Sequence, residues 1–153
     1  MLLNISPILP PDLLSIMRSM GHGDKLILCD ANYPAVSTSN KVIRMDGVSI
    51  PKAAEAILNI FPLDSFIESP IIRMQIDGIP DEINEVQNDL IEIVNNVPGK
   101  NWIVSSIERN QFYREARDTF VTVVTGDSRP YGCFIFTKGV IKPDGEVWIL
   151  NKD

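Results

Sequence analysis

The sequence predicts a single α/β domain built on a mainly buried sheet. Three observations carry this. Segments of strand pattern and helix pattern alternate for most of the length. The chain has 153 residues, enough for one domain with a real core. Its 44% hydrophobic and 22% charged content is the balance of an ordinary globular protein.

From the N-terminus, Ser6-Pro7-Ile8-Leu9-Pro10-Pro11-Asp12 is a stiff lead-in. Leu13, Leu14, Ile16, Met17 and Met20 then share one helical face, and Gly21 ends that helix. Lys25 to Cys29 is the first strand. Ser37 to Lys41 is a polar loop before a second strand, Val42 to Met45, closed by the turn Asp46-Gly47. Pro51 suits the first turn of a helix to about Ile60, with Ala54, Ile57, Leu58 and Phe61 inward. Pro70 to Ile76 is a buried strand ended by Asp77-Gly78. Pro80-Asp81-Glu82 begins a helix with Ile83, Val86, Leu90, Ile93 and Val94 on one side. Trp102 to Ile107 is a strand with Glu108-Arg109 at its carboxyl end, and Phe112 to Asp118 is a short helix. The β-branched run Thr119 to Thr125 is a strand, Gly126 to Pro130 a turn, and Tyr131 to Phe136 a returning strand. The turn Pro143-Asp144-Gly145 precedes a last apolar segment, Val147 to Leu150. No repeat or linker divides the chain, so residues 1–153 form one domain, with 142–153 as a C-terminal extension.

Charge and composition narrow the function. The net charge of −6 argues against nucleic acid and against an anionic membrane surface, both of which need clustered Lys and Arg. The first residues lack the basic region of a secretory signal, and no apolar run approaches a membrane span. The expectation is a cytoplasmic protein. Cys29 and Cys133 have no metal-type spacing, and with one histidine no zinc or non-haem iron site is expected.

That histidine, His22, lies in the stretch around which the chain is organised, Met20 to Ala35. Gly21 and Gly23 bracket it, and Asp30 ends the strand that follows. In open α/β sheets ligands collect outside the carboxyl ends of strands. A histidine and an aspartate brought to one pocket perform proton transfer near neutral pH. The local pattern fits plainer roles at least as well. A histidine after a helix-ending glycine caps the helix, and an aspartate after a strand makes a turn.

Further segments change that balance. Ile5-Ser6-Pro7, Leu13-Leu14, Met20-Gly21-His22-Gly23-Asp24, Asp30 to Ala35, Ile43 to Gly47, Phe61-Pro62-Leu63-Asp64, Ile107-Glu108-Arg109, Phe112-Tyr113, Val124-Thr125-Gly126, Tyr131-Gly132 and Lys138-Gly139-Val140 occur in one order over residues 5–140. Together they resemble the sugar mutarotase family that includes L-fucose mutarotase and D-ribose pyranase. Arg109 and the Phe112-Tyr113 pair are closer to the fucose branch. The resemblance implies that family's fold, a monosaccharide substrate, and an isomerase that exchanges anomers without a cofactor. It implies His22 as acid/base and Asp30, Arg109, Tyr131, Gly132 and Cys133 as sugar-binding positions. At 133 the family has asparagine, so here a weak S–H donor replaces an amide. The resemblance also implies a homo-oligomer with sites near subunit interfaces. Two alternatives stay open: ribose-type pyranase activity, and a sugar-binding or regulatory protein without catalysis. Each position also has a plain structural role: Arg109 paired with Glu108 or Glu115, Tyr113 and Tyr131 as core or strand aromatics, the cysteines as small buried hydrophobes.

Overall fold

The computed structural model describes residues 1–150. Eleven elements follow one another: α1 Pro11–Ser19, β1 Lys25–Cys29, α2 Ala35–Thr38, β2 Val42–Met45, α3 Ile50–Leu58, β3 Ile71–Met74, α4 Glu85–Asn95, β4 Val104–Ile107, α5 Arg109–Ala116, β5 Val121–Thr125 and β6 Cys133–Thr137. The strands form one six-stranded sheet in the order β2-β5-β1-β6-β3-β4. Parallel pairing joins β2 to β5, β5 to β1, and β3 to β4, whereas β6 runs antiparallel between β1 and β3. Five strands therefore end at one edge of the sheet, and β6 begins there.

Both faces of the sheet are covered, which is why the central strands β1 and β6 carry the unbroken apolar runs Leu26–Cys29 and Cys133–Phe136. Leu26, Leu28, Val121, Val123, Phe134 and Phe136 point into the larger core, with α1, α3 and α4 packed on them. Ile27, Cys29, Val124 and Ile135 point the other way, onto Tyr33, Phe112 and Ala116. The residues alternate because successive side chains of a strand face opposite sides. Among the described residues no helix is long and apolar enough to cross a membrane.

Three local expectations change. The segment expected as polar loop after Ala35 begins with a turn of helix, α2, in which Thr38 and Ser37 hydroxyls donate to the Pro34 carbonyl. The helix expected from Pro80 starts later. Asn84 is its cap, accepting from the Gln87 amide at 3.1 Å, and Ile83 is exposed rather than inward. Pro80 is held outside the helix because its carbonyl accepts from the buried Arg73 guanidinium. Tyr131 precedes β6 and has φ 60°, so it is a loop residue and not a strand aromatic. Of the extension, residues 142–150 fold back on the domain, and 151–153 lie outside the described residues.

Candidate functional site

The carboxyl edge of the sheet gathers most of the expected positions. Asp30 follows β1, Met74 ends β3, Arg109 opens α5 after β4, and Tyr131 and Cys133 lead into β6. With Asn32, Tyr33 and Tyr113 they line an open cleft of about 280 Å³. That lies at the small end of the roughly 300–1,000 Å³ usual for ligand pockets.

Asp30 is the floor of this cleft and is 3% exposed. Its amide donates to the Gly132 carbonyl at 2.8 Å, and its Oδ1 accepts from the Asn32 amide at 2.9 Å. Cys133 Sγ donates to Oδ2 at 3.4 Å. The turn-making role is therefore real, yet it occupies only one carboxylate oxygen fully. Burial raises the carboxyl above its ordinary value of 3.8, and the amide of Asn32 offsets part of that rise. Gly132 has no room for a side chain: a Cβ there would stand 2.4 Å from the Ile50 Cδ1 and 3.4 Å from the Asp30 Cβ. Cys133 and Cys29 are both buried, and burial pushes both thiols up, so they behave as small hydrophobes.

Tyr131 is aimed by its backbone. Gln87, fully buried on α4, donates from Nε2 to the carbonyls of Met74 at 2.7 Å and Tyr131 at 3.1 Å, tying β3 to the loop. The phenol donates to Asp77 Oδ1 at 2.5 Å, and this bond raises its pKa. Below the loop, Arg129 reaches Asp127 at 2.8 Å and Asp89 at 2.7 Å. Arg109 is exposed and makes no ion pair among the described residues. Both glutamates that offered it a plain partner are engaged elsewhere. Glu108 caps α5, accepting from the amides of Asn110 and Gln111, and Glu115 pairs with Lys25 at 2.9 Å. The guanidinium is left to the cleft.

His22 is not in this cleft. It precedes β1, whereas Asp30 follows it, and five strand residues at about 3.3 Å each carry them roughly 17 Å apart. One chain does not bring the pair to one pocket. At its own edge His22 meets a partner that the sequence pattern did not single out as functional. Its Nε2 lies 3.1 Å from Oδ1 of Asp64, whose side chain is 3% exposed, while the imidazole side chain is 45% exposed. The same Asp64 oxygen accepts from the Phe66 amide at 2.9 Å, and the Phe66 ring lies 5.1 Å from the imidazole. So His22 does not serve as a helix cap. That role falls to Lys138, whose Nζ donates to the carbonyls of Met17 at 2.6 Å and Met20 at 2.5 Å. Asp64 belongs to the Phe61-Pro62-Leu63-Asp64 segment, which was the available signal for it. No cluster of side chains suited to a metal occurs among the described residues.

Fold and site define an α/β protein with a small polar cleft at the carboxyl edge of its sheet and a carboxylate-paired histidine at the opposite edge. The model of the family described as RbsD / FucU transport protein family matches residues 3–141, and the chain belongs to that family. It is 37% identical over 142 residues to the L-fucose mutarotase of Actinobacillus pleuropneumoniae serotype 5b (strain L20), covering 92% of this chain and 97% of the relative. The crystal structure of the fucose mutarotase from Streptococcus pneumoniae in complex with L-fucose superposes with a TM-score of 0.84 at 35% identity, covering 92% of this chain and 100% of that one. Bacillus subtilis RbsD complexed with D-ribose shares the fold, with a TM-score of 0.66 at 18% identity over 88% of this chain and 95% of that one.

Proposed function

We propose that this chain is a cytoplasmic mutarotase that interconverts the α and β anomers of L-fucose or a related 6-deoxy or pentose sugar. The observation that carries this is the cleft itself: Asp30 after β1, Arg109 after β4, and Tyr131 and Cys133 at the start of β6 converge from three strand ends onto a space of monosaccharide scale. Its neighbours in sequence, the L-fucose mutarotases, support the choice of reaction.

The chemistry needs few groups. The ring oxygen gains a proton as the anomeric hydroxyl loses one. The bond from C1 to the ring oxygen breaks and the C1 carbonyl forms. Rotation about C1–C2 and closure on the other face give the other anomer, with no change in oxidation state. A group that gives and takes a proton near neutral pH serves both directions, and this is the role of His22. Asp64 accepts from Nε2, which leaves Nδ1 as the free nitrogen of the neutral ring. Asp30 accepts from sugar hydroxyls, and Arg109 donates a planar fork of hydrogen bonds to adjacent oxygens. Cys133 contributes bulk and a weak S–H donor where the family has an amide.

Because β1 separates His22 from Asp30, the working site needs the histidine edge of a second copy set against the cleft of the first. The protein is accordingly a homo-oligomer with its sites at subunit contacts.

Saturation transfer NMR between the α and β signals of L-fucose tests the function. The protein accelerates exchange, and His22→Ala, still folded, loses about 10²–10⁴-fold of it. Faster ring-form exchange of D-ribose than anomer exchange of fucose moves the assignment to a pyranase. Tight fucose binding without exchange leaves a binding protein.

A further inference from the structure

We infer that the segment 142–150, which lies beyond the residues matched by the family model, is a brace that orients the His22 imidazole, acting through Ser65 and Trp148. Its consequence for rate rests on the mutarotase function proposed above; the brace itself does not.

Three consecutive residues link the tail to the histidine. Asp64 accepts from His22 Nε2 and from the Phe66 amide. Phe66 sets its ring 5.1 Å from the imidazole on one side and 5.6 Å from the Trp148 indole, edge to face, on the other. Ser65, between them and 2% exposed, ties its hydroxyl to the tail: its Oγ donates to the Trp148 carbonyl at 2.6 Å and accepts from the Leu150 amide at 2.8 Å. Both hydrogen-bonding capacities of that buried hydroxyl are used on the extension.

The tail is itself anchored. Lys142 and Glu146 close a turn at 2.8 Å, with Gly145 at φ 89°. Ile141 bridges to Val147, and the Trp148 amide donates to the Val140 carbonyl at 2.8 Å. Ile149 packs where a Cβ on Gly99 would come within 2.9 Å of its Cδ1. A half-exposed imidazole with one hydrogen bond has freedom to swing. Fixing both of its neighbours, a carboxylate and a ring, removes that freedom.

The single histidine makes this measurable, since one imidazole Hε1 resonance reports it and the Phe66 ring current acts on it. Ser65→Ala keeps every aromatic side chain and removes both hydrogen bonds of the Ser65 hydroxyl to the tail. Trp148→Ala removes the outer ring, and Trp148→Phe restores an aromatic edge. In the otherwise unchanged chain, Ser65→Ala and Trp148→Ala move the Hε1 shift and lower kcat for fucose anomer exchange by about tenfold to a hundredfold. KM holds, because the cleft at Asp30 is untouched, and Trp148→Phe stays close to the parent in both readouts. Should Trp148→Ala fail to fold, Ser65→Ala against Trp148→Phe decides alone. Folded variants with parental Hε1 shift, or with a moved shift and parental kcat, overturn the brace. A parent protein that exchanges no fucose defeats the proposed function instead, while the Hε1 shift still reports the contact.

Discussion

His22 and Asp64 form a pair 42 residues apart in sequence, with the imidazole Nε2 3.1 Å from a carboxylate oxygen that is out of water. A carboxylate only accepts, so it selects the Nε2–H tautomer, and in the proposed mechanism it stabilises the imidazolium formed when the anomeric hydroxyl gives up its proton. Asp64→Asn presents an amide that can meet either nitrogen. The expected result is a folded protein with kcat for anomer exchange about tenfold to a hundredfold lower, a smaller loss than His22→Ala. Asp64→Asn at parental kcat would show the pair to be structural only.

Asp30 predicts a conflict between activity and stability. Its carboxyl is raised by burial, so the folded protein holds the charge less easily than the unfolded chain. Stability from this group is present below the ordinary value of 3.8 and declines as pH rises through the higher folded value. Asp30→Asn therefore melts at a higher temperature than the parent at pH 7, the gap closes near pH 3, and sugar exchange is lost. Calorimetry at the two pH values checks it; an unchanged or lower melting temperature at pH 7 contradicts it.

Asp127 acts in the opposite sense. Arg129 beside it holds the carboxyl down at about 2, against an ordinary 3.8, with the Ile50 and Arg129 amides helping. This group contributes stability above pH 3.8 that is lost as pH falls toward 2. The shift amounts to about 1–2 kcal/mol once the partly exposed Arg129 is discounted for solvent screening. Asp127→Asn should lower stability by that amount at pH 7 and flatten the acid limb of a denaturant series between pH 4 and 2. A parental acid limb would place the stabilisation elsewhere.

How much of this was legible in the sequence depends on distance along the chain. The bounds of β1 are legible because the apolar run Leu26 to Cys29 is local and ends at Asp30. The buried strands and α1 follow from the same local rules. The start of α4 did not, since Pro80-Asp81-Glu82 carries a helix-start pattern that Arg73, seven residues away, pulls into a loop. Asp30, Arg109, Tyr131 and Cys133 were legible as strand-end residues, and the topology that unites them is set by β6 running antiparallel between β1 and β3. Asp64 carried no local signature of chemistry. Nor does closeness in sequence mean closeness in space: His22 and Asp30 flank one extended strand and leave it at opposite edges.

That separation gives the central test. If the site joins His22 of one copy to Asp30 of another, two inactive variants complement each other. His22→Ala and Asp30→Asn are each inactive alone. Co-expressed and purified as a mixed assembly, they form some sites with both native residues, roughly a quarter under random pairing of copies. Saturation transfer on L-fucose should then recover roughly that fraction of parental exchange. A mixed assembly that stays as inactive as either variant, with both chains present, would contradict a site built from the His22 edge of one copy and the Asp30 cleft of the next.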